Sequence, residues 1–385
     1  MSGKHAAGGL RPPGGPRARL LLALVAVAAL LTGVSVWLTG GDEDGTGDDR
    51  TAPTGNGLPP DAASGAPPSG PCAPTKILVP QCGAWWGAYV PYPEDGSSLT
   101  EAVRAHEKRI GRKLDLLYTY HDMSNTEIDG TLLTPDEIEL GRDRMLMLAW
   151  ETTVWKEKHH AGYTETPLGW KNVAAGEFDE KVIDPQARRL KAYGKRVFFS
   201  LDQEVDARIK EGQGTPEEYV AAYRHVQSRF KALGVTNVVW VWTVSGYLGN
   251  KALMKSLYPG DAYVDWLGMD QYNYFTCHDT TDWKDFDRSQ RPTYDWLRAE
   301  ISPDKPIMLA EFSTVPDPDN PLRKRDWFTQ IPRTVKTMPG IRALVQWNRT
   351  VPGDGCDLTV NEGPGLTGYR EAGKNGYFKQ PVPGR

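Results

Sequence analysis

The sequence predicts an α/β protein built as a (β/α)8 barrel, and three observations carry that expectation. Eight apolar runs of strand type recur between about residue 83 and residue 350. Helix-like segments separate them, which implies parallel strands joined by right-handed crossovers. No glycine-rich phosphate loop follows any run, which argues against an open doubly wound sheet.

The barrel is not expected to begin at the first residue. Arg17 and Arg19 precede "LLLALVAVAALLTGVSVWL", an uncharged stretch from Leu20 to Leu38. At ~1.5 Å rise per residue it can span a bilayer core of about 30 Å. Positive residues on its N-terminal side keep residues 1–19 cytoplasmic, so 20–39 reads as a signal anchor and everything beyond is exported. Cleavage of the same segment would release a secreted protein. Residues 40–75 are Gly, Pro, Ser, Ala and acid with almost nothing to bury. Such a composition predicts a disordered linker, with 76–385 as the barrel domain.

The eight runs are "GAWWGAYV" (83–90), "KLDLLYTYH" (113–121), "RMLMLAWET" (144–152), "KRVFFSLDQE" (195–204), "NVVWVWTVSG" (237–246), "YVDWLGMDQYNY" (263–274), "KPIMLAEFST" (305–314) and "IRALVQWNRT" (341–350). Between the fourth and fifth, Tyr219, Ala222, Tyr223, Val226 and Phe230 recur at helical spacing. Thr215 caps this helix, Pro216 takes its first turn and Gly234 stops it. Before the fourth run, Asp184 as cap, Pro185 and Gly194 frame a second helix.

Composition narrows the function. A formal net charge of -4 gives no reason to expect a nucleic-acid partner, whereas 13 tryptophans and 16 tyrosines supply many flat, polar-edged rings. Cys72, Cys82, Cys277 and Cys356 fit no zinc ribbon, so in an exported chain they suggest disulfides. Three pairings are possible, of which Cys72–Cys82 with Cys277–Cys356 is preferred.

In a barrel of this kind function sits at the C-terminal ends of the strands. The ends of the runs carry Trp86 and Tyr89, Tyr120 and His121, Trp150 and Glu151, Gln203 and Glu204, Trp242, Tyr272 and Asn273, Glu311, and Gln346 and Trp347. Rings, amides and carboxylates form a sugar site: rings stack on pyranose faces and polar groups bind hydroxyls. No cluster has metal-ligand character, so neither metal nor cofactor is expected. Glu204 and Glu311 end the fourth and seventh runs and face each other across the mouth, the minimum equipment for cleaving a glycosidic bond. They are the candidate catalytic residues. Gln203, Tyr272, Trp242, Trp347, Trp86, Trp150, His121 and Asn273 are the candidate substrate-binding residues. Asp202, placed on the same side of the strand, is expected to raise the proton affinity of Glu204.

These residues also carry a family resemblance. Residues 214–242 with "YPGDAYVDWLGMDQYN" (258–273), and "PIMLAEFS" (306–313), resemble glycoside hydrolase family 26, a group of endo-acting β-glycanases, chiefly β-mannanases. The resemblance implies a retaining double displacement, with Glu204 as acid/base, Glu311 as nucleophile and Tyr272 as the phenol that orients the nucleophile. It makes Trp242 and Trp347 cleft residues, with Trp347 under the sugar at the cleavage point. The chain departs from the pattern in having Gln203 where the family usually has His. "VDARIKEGQ" (205–213) also replaces a Trp-rich turn, so no ring platform is expected there. The expected function is a monomeric, membrane-anchored hydrolase of β-1,4-mannan or a related β-glycan. The alternative is an anchored carbohydrate-binding barrel that has lost catalysis.

Overall fold

The computed structural model describes residues 70–124, 130–155, 165–207, 209, 211–277, 281–351 and 355–385. The expected tail, membrane segment and linker before residue 70 lie outside the described residues. Among the described residues no helix is long and apolar enough to cross a membrane.

Eight parallel strands close into a barrel, each hydrogen-bonded to its neighbours in sequence and the eighth to the first. They are β1 (Trp85–Tyr89), β2 (Leu116–Asp122), β3 (Met145–Glu151), β4 (Val197–Leu201), β5 (Val238–Val244), β6 (Trp266–Asn273), β7 (Ile307–Thr314) and β8 (Ile341–Trp347). Seven fall inside an apolar run read from the sequence, and β2 overruns its own by one residue, Asp122. A short antiparallel hairpin after β3, Thr153–Trp155 with Glu165–Pro167, is an addition that the runs did not indicate.

The period of two along a strand divides the core into two layers. Trp85, Tyr118, Met147, Phe198, Val241, Trp266 and Met308 fill the barrel interior. Trp86, Leu117, Leu148, Phe199, Trp240 and Leu309 lie in the outer layer that packs against the helices. The interior is closed at the N-terminal end of the strands by residues 77–79: Trp85 Nε1 donates to the Leu78 carbonyl and Trp266 Nε1 to that of Ile77, each at 2.7 Å.

The helix Pro216–Ala232 starts as expected, with a capping box between Thr215 and Glu218. Its buried residues are Tyr219, Ala222, Tyr223, Val226 and Phe230, the apolar stripe of the sequence. The helix Asp184–Tyr193 differs at its start. A π turn, Asp179–Ile183, runs straight into it, so Asp184 is a first-turn residue and not a cap. Its carboxylate accepts two hydrogen bonds from the Arg229 guanidinium, at 2.7 and 2.8 Å, which hold it below the usual carboxylate range.

Both preferred disulfides are present, Cys72–Cys82 and Cys277–Cys356. The first closes a sequence separation of 10 and the second one of 79. Chain-entropy reasoning makes the longer crosslink the more stabilising by about 2 kcal/mol. The Cys277→Ser/Cys356→Ser pair is therefore expected to lower the melting temperature several degrees further than Cys72→Ser/Cys82→Ser, as read by a thermal melt of each double variant. An equal loss in the two would contradict this.

Candidate active site

Strand β4 ends at Leu201, and the next residues leave strand geometry abruptly. Asp202 and Glu204 both take positive φ, each at 50°. Left-handed backbone at a residue with a side chain costs roughly 1–3 kcal/mol and collects at functional sites. The turn re-aims both acids. Asp202 does not share the side of Glu204, contrary to the alternation assumed from sequence. It accepts hydrogen bonds from the Thr152 backbone N–H (2.6 Å), Thr152 Oγ1 (2.7 Å) and Trp170 Nε1 (2.7 Å). Burial pushes its carboxyl up to about 6 even against these donors. It anchors the loop after β3 and is not spare to tune Glu204.

Strand β7 uses a different device. Ile307 and Leu309 belong to the outer layer and Met308 and Ala310 to the interior, so simple alternation would send Glu311 outward. A register shift against β6 intervenes: Met269 pairs with Leu309, but Asp270 pairs with Glu311. This one-residue bulge brings the carboxylate to the barrel mouth. There the Tyr120 hydroxyl donates to Oε1 at 2.5 Å, and the Tyr272 hydroxyl donates to Oε2. Both phenols are held well above their ordinary range, first by burial and then by the adjacent carboxylate, so they stay protonated donors.

A third acid completes the cluster. One oxygen from each of Glu204, Asp270 and Glu311 lies within 4.8 Å of the others. Asp270 is 2 % exposed, and neither of its oxygens has a side-chain hydrogen-bond partner among the described residues. Burial, then the charges of Glu311 and Glu204, push its carboxyl well above the carboxylate range. Three oxygen donors could in principle hold a hard cation. Here burial disfavours charge on Asp270, and both oxygens of Glu311 already accept phenolic hydrogen bonds, so the donor set suits proton chemistry better.

Around the acids, rings form one wall. Trp347 stacks on Tyr89 at 5.6 Å and meets Tyr272 edge-on at 6.2 Å, while Tyr120 meets Tyr89 edge-on at 5.0 Å. An open cavity of about 660 Å³ adjoins this wall without containing the acids, and Tyr89, Tyr92, His106, Asn348 and Arg349 are among the residues lining it. Burial raises the Tyr89 phenol above its ordinary range, against the opposing pull of the Arg349 charge.

Of the ten residues expected at the site, Glu204, Glu311, Tyr272 and Trp347 come together. Trp86, Trp150 and Trp242 do not: all three are fully buried in the outer layer, because each sits one position out of phase with the inward-facing residues of its strand. Trp86 packs on Tyr369 and Phe378, Trp150 donates to the Asp122 carbonyl at 2.8 Å, and Trp242 packs on Tyr258. His121 also faces outward, fully buried and bonded to Glu137 at 2.8 Å. Asn273 is buried, donating to Thr314 Oγ1 and accepting from the Lys284 N–H. Gln203 is 1 % exposed and donates to Glu151, which also accepts from Trp155 Nε1 at 2.9 Å. The residues that do reach the mouth from those strands are Tyr89, Tyr120 and Asp270. Alternation could have found the first two: Tyr118, two positions before Tyr120, and Trp85, four before Tyr89, belong to the interior.

Comparison with known proteins bears on the same residues. Residues 179–289 match the sequence model of Glycosyl hydrolase family 26, a span that holds β4 to β6 with Glu204, Asp270 and Tyr272. Endoglucanase H of Acetivibrio thermocellus is 29 % identical over 301 residues, covering 75 % of this chain and 30 % of that protein. Beta-1,3-xylanase TXYA of a Vibrio species is 30 % identical over 145 residues, covering 37 % of this chain and 28 % of the relative. The chain thus spans less than a third of the length of these curated relatives. Among solved structures, a β-mannanase from a symbiotic protist of the termite Reticulitermes speratus aligns with a TM-score of 0.54 at 15 % identity, covering 78 % of this chain and 91 % of the other. A modular endo-β-1,4-mannanase from Cellulomonas fimi aligns with a TM-score of 0.53 at 17 % identity, covering 77 % and 71 %. At such identities the structural likeness establishes the barrel alone. The sequence match over β4 to β6 goes further, and by it this part of the chain is similar to glycosyl hydrolase family 26.

Proposed function

We propose that this protein hydrolyses a β-linked polysaccharide with retention of anomeric configuration, using Glu204 as acid/base and Glu311 as nucleophile. The observation that carries the reading is the convergence of those two carboxyls within 4.8 Å at one rim of the barrel. Retaining enzymes hold the pair about 5–5.5 Å apart, whereas inverting enzymes need roughly 6.5–9.5 Å to fit a water.

In the first step a Glu311 oxygen bonds to the anomeric carbon while Glu204 gives its proton to the departing glycosidic oxygen. In the second, Glu204 takes a proton from water as the water oxygen displaces Glu311. The phenols of Tyr120 and Tyr272 fix the Glu311 carboxylate from both sides, leaving it little freedom except along the line of attack. Trp347, braced by Tyr89, is the surface on which the reacting sugar rests. The adjoining cavity would take further sugar units of the same chain, so action within a polymer fits better than removal of a terminal sugar. The disulfides are consistent with work in an oxidising compartment outside the cytoplasm.

Incubating the purified protein with β-1,4-mannan, β-1,4-glucan and β-1,3-xylan tests this reading. Reducing ends should appear from at least one of them, and proton NMR of the first product should show the β anomer. An α product would remove the double displacement. Binding without product at any pH would favour a carbohydrate-binding barrel, a reading to which Gln203, in place of the usual titratable His, lends some weight.

A further inference from the structure

We infer that Tyr247 is a stacking platform for a sugar on the leaving-group side of the cleft, an inference that rests on the reaction proposed above. In that reaction the reacting sugar lies over Trp347 at the end of β8. Its glycosidic oxygen points to Glu204 in the turn after β4, so the departing chain leaves over the loops on that side of the mouth. Tyr247 stands in the loop that leaves the C-terminal end of β5 and is 67 % exposed.

A single exposed ring means little by itself. Two features distinguish this one. The first is how its loop is held. Asp206, two residues after Glu204, accepts from the Ser245 backbone N–H at 2.8 Å and from Ser245 Oγ at 2.6 Å. Ser245 Oγ in turn accepts from the Tyr247 N–H at 3.2 Å, and Asn250 Nδ2 donates to the Asp206 carbonyl at 3.2 Å. Gly246, at φ 70°, makes the turn between them, its carbonyl held by Thr293 Oγ1 at 2.7 Å. The loops that carry Glu204 and Tyr247 are thus joined through one carboxylate. With at most about 3.6 Å of chain per residue, two residues on either side of that clamp keep the backbone of Tyr247 within about 20 Å of that of Glu204.

The second feature is the ring's own seat. A Cβ at Gly249 would fall 2.3 Å from Tyr247 Cε1 and 2.5 Å from Cζ. The ring therefore lies against bare backbone that only glycine provides, with its other side open to solvent. A ring seated on backbone at one face and open to solvent at the other suits the apolar face of a pyranose. Platforms fixed in advance also lose less freedom when the sugar binds. Residues 205–213 carry no aromatic side chain, and the loop after β5 offers one on the same side.

The test compares Tyr247→Ala, Tyr247→Phe and Gly249→Ala on mannohexaose and cellohexaose, and on the biosyl fluoride of whichever sugar is cleaved. The fluoride has no sugar beyond the scissile bond. Tyr247→Ala should lower kcat/KM on the hexasaccharide roughly tenfold and leave the fluoride within about twofold. Tyr247→Phe should behave as wild type, and Gly249→Ala, which displaces the ring, should fall in between. An unchanged hexasaccharide rate, or an equal loss on both substrates, would overturn the assignment. If the wild type cleaves neither hexasaccharide nor any of the three polymers above, the reaction itself fails. The platform is then judged by titrating the same hexasaccharides: weaker binding to Tyr247→Ala retains it, and unchanged binding removes it.

Discussion

Glu311→Ala is expected to lower kcat/KM on the cleaved β-glycan by roughly 10⁴-fold or more while leaving hexasaccharide binding near the wild-type value. The methyl group opens space below the anomeric carbon, and azide should restore part of the turnover by attacking there, yielding an α-glycosyl azide. Glu204→Ala should behave differently. Its loss on the polymer is expected to be roughly 10²–10⁴-fold, but a substrate with a leaving group that needs no proton should form the glycosyl-enzyme at close to the normal rate. Azide acting on that intermediate should give the β product. The opposite anomers of the two rescued products separate nucleophile from acid/base, which rate losses alone do not. Two variants that are equally slow on every substrate, with no rescue in either, would overturn the assignment of roles.

That the acids converge follows from features of unequal legibility. The strand containing each glutamate could be read from its apolar run, and the fourth and seventh positions follow from counting. Which way each side chain points could not. Glu311 faces the mouth because of a bulge between Ala310 and its neighbours in β6, and nothing in "KPIMLAEFST" marks one. Glu204 faces it because two residues with side chains take left-handed backbone, a conformation that sequence assigns by default to glycine. The same blindness misplaced the aromatics. Trp86, Trp150 and Trp242 are large, sit near strand ends and match the chemistry of a sugar site, yet period-two alternation sends each to the helix layer. Tyr89 and Tyr120 hold the phase that Trp86 and His121 lack. Phasing each run from its most apolar inward residue, and not from the identity of its last ring, would have recovered them. Tyr247 was hidden for another reason. Its importance lies in the absence of a side chain at Gly249 and in a clamp from Asp206, and neither is visible until the chain is folded.

Asp270 gives the sharpest test of the electrostatics beneath the pair. In the folded protein its carboxyl is raised, chiefly by burial and then by Glu311 and Glu204, so the native state keeps a proton that the unfolded chain releases near pH 3.9. Its contribution is therefore most favourable below about that pH and declines as pH rises towards the native value. Asp270→Asn supplies a permanently neutral group of the same shape and removes that decline. Wild type and variant should melt together at pH 3.5, and the variant should gain on the wild type as pH rises through the neutral range. The amide should also keep activity within about tenfold, whereas Asp270→Ala, which leaves a void and no donor between the two glutamates, should lose considerably more. A stability gap that stays constant with pH would mean that Asp270 is ionised when folded. Asp270 and Glu311 would then put two anionic carboxyl oxygens within 4.8 Å of each other, a pair that a bound cation would neutralise. In that case added calcium or magnesium should raise the melting temperature of the wild type and not of Asp270→Asn. With Asp270 neutral, neither ion should move it, and in the proposed reaction its proton would spare Glu311 and Glu204 a further charge beside them.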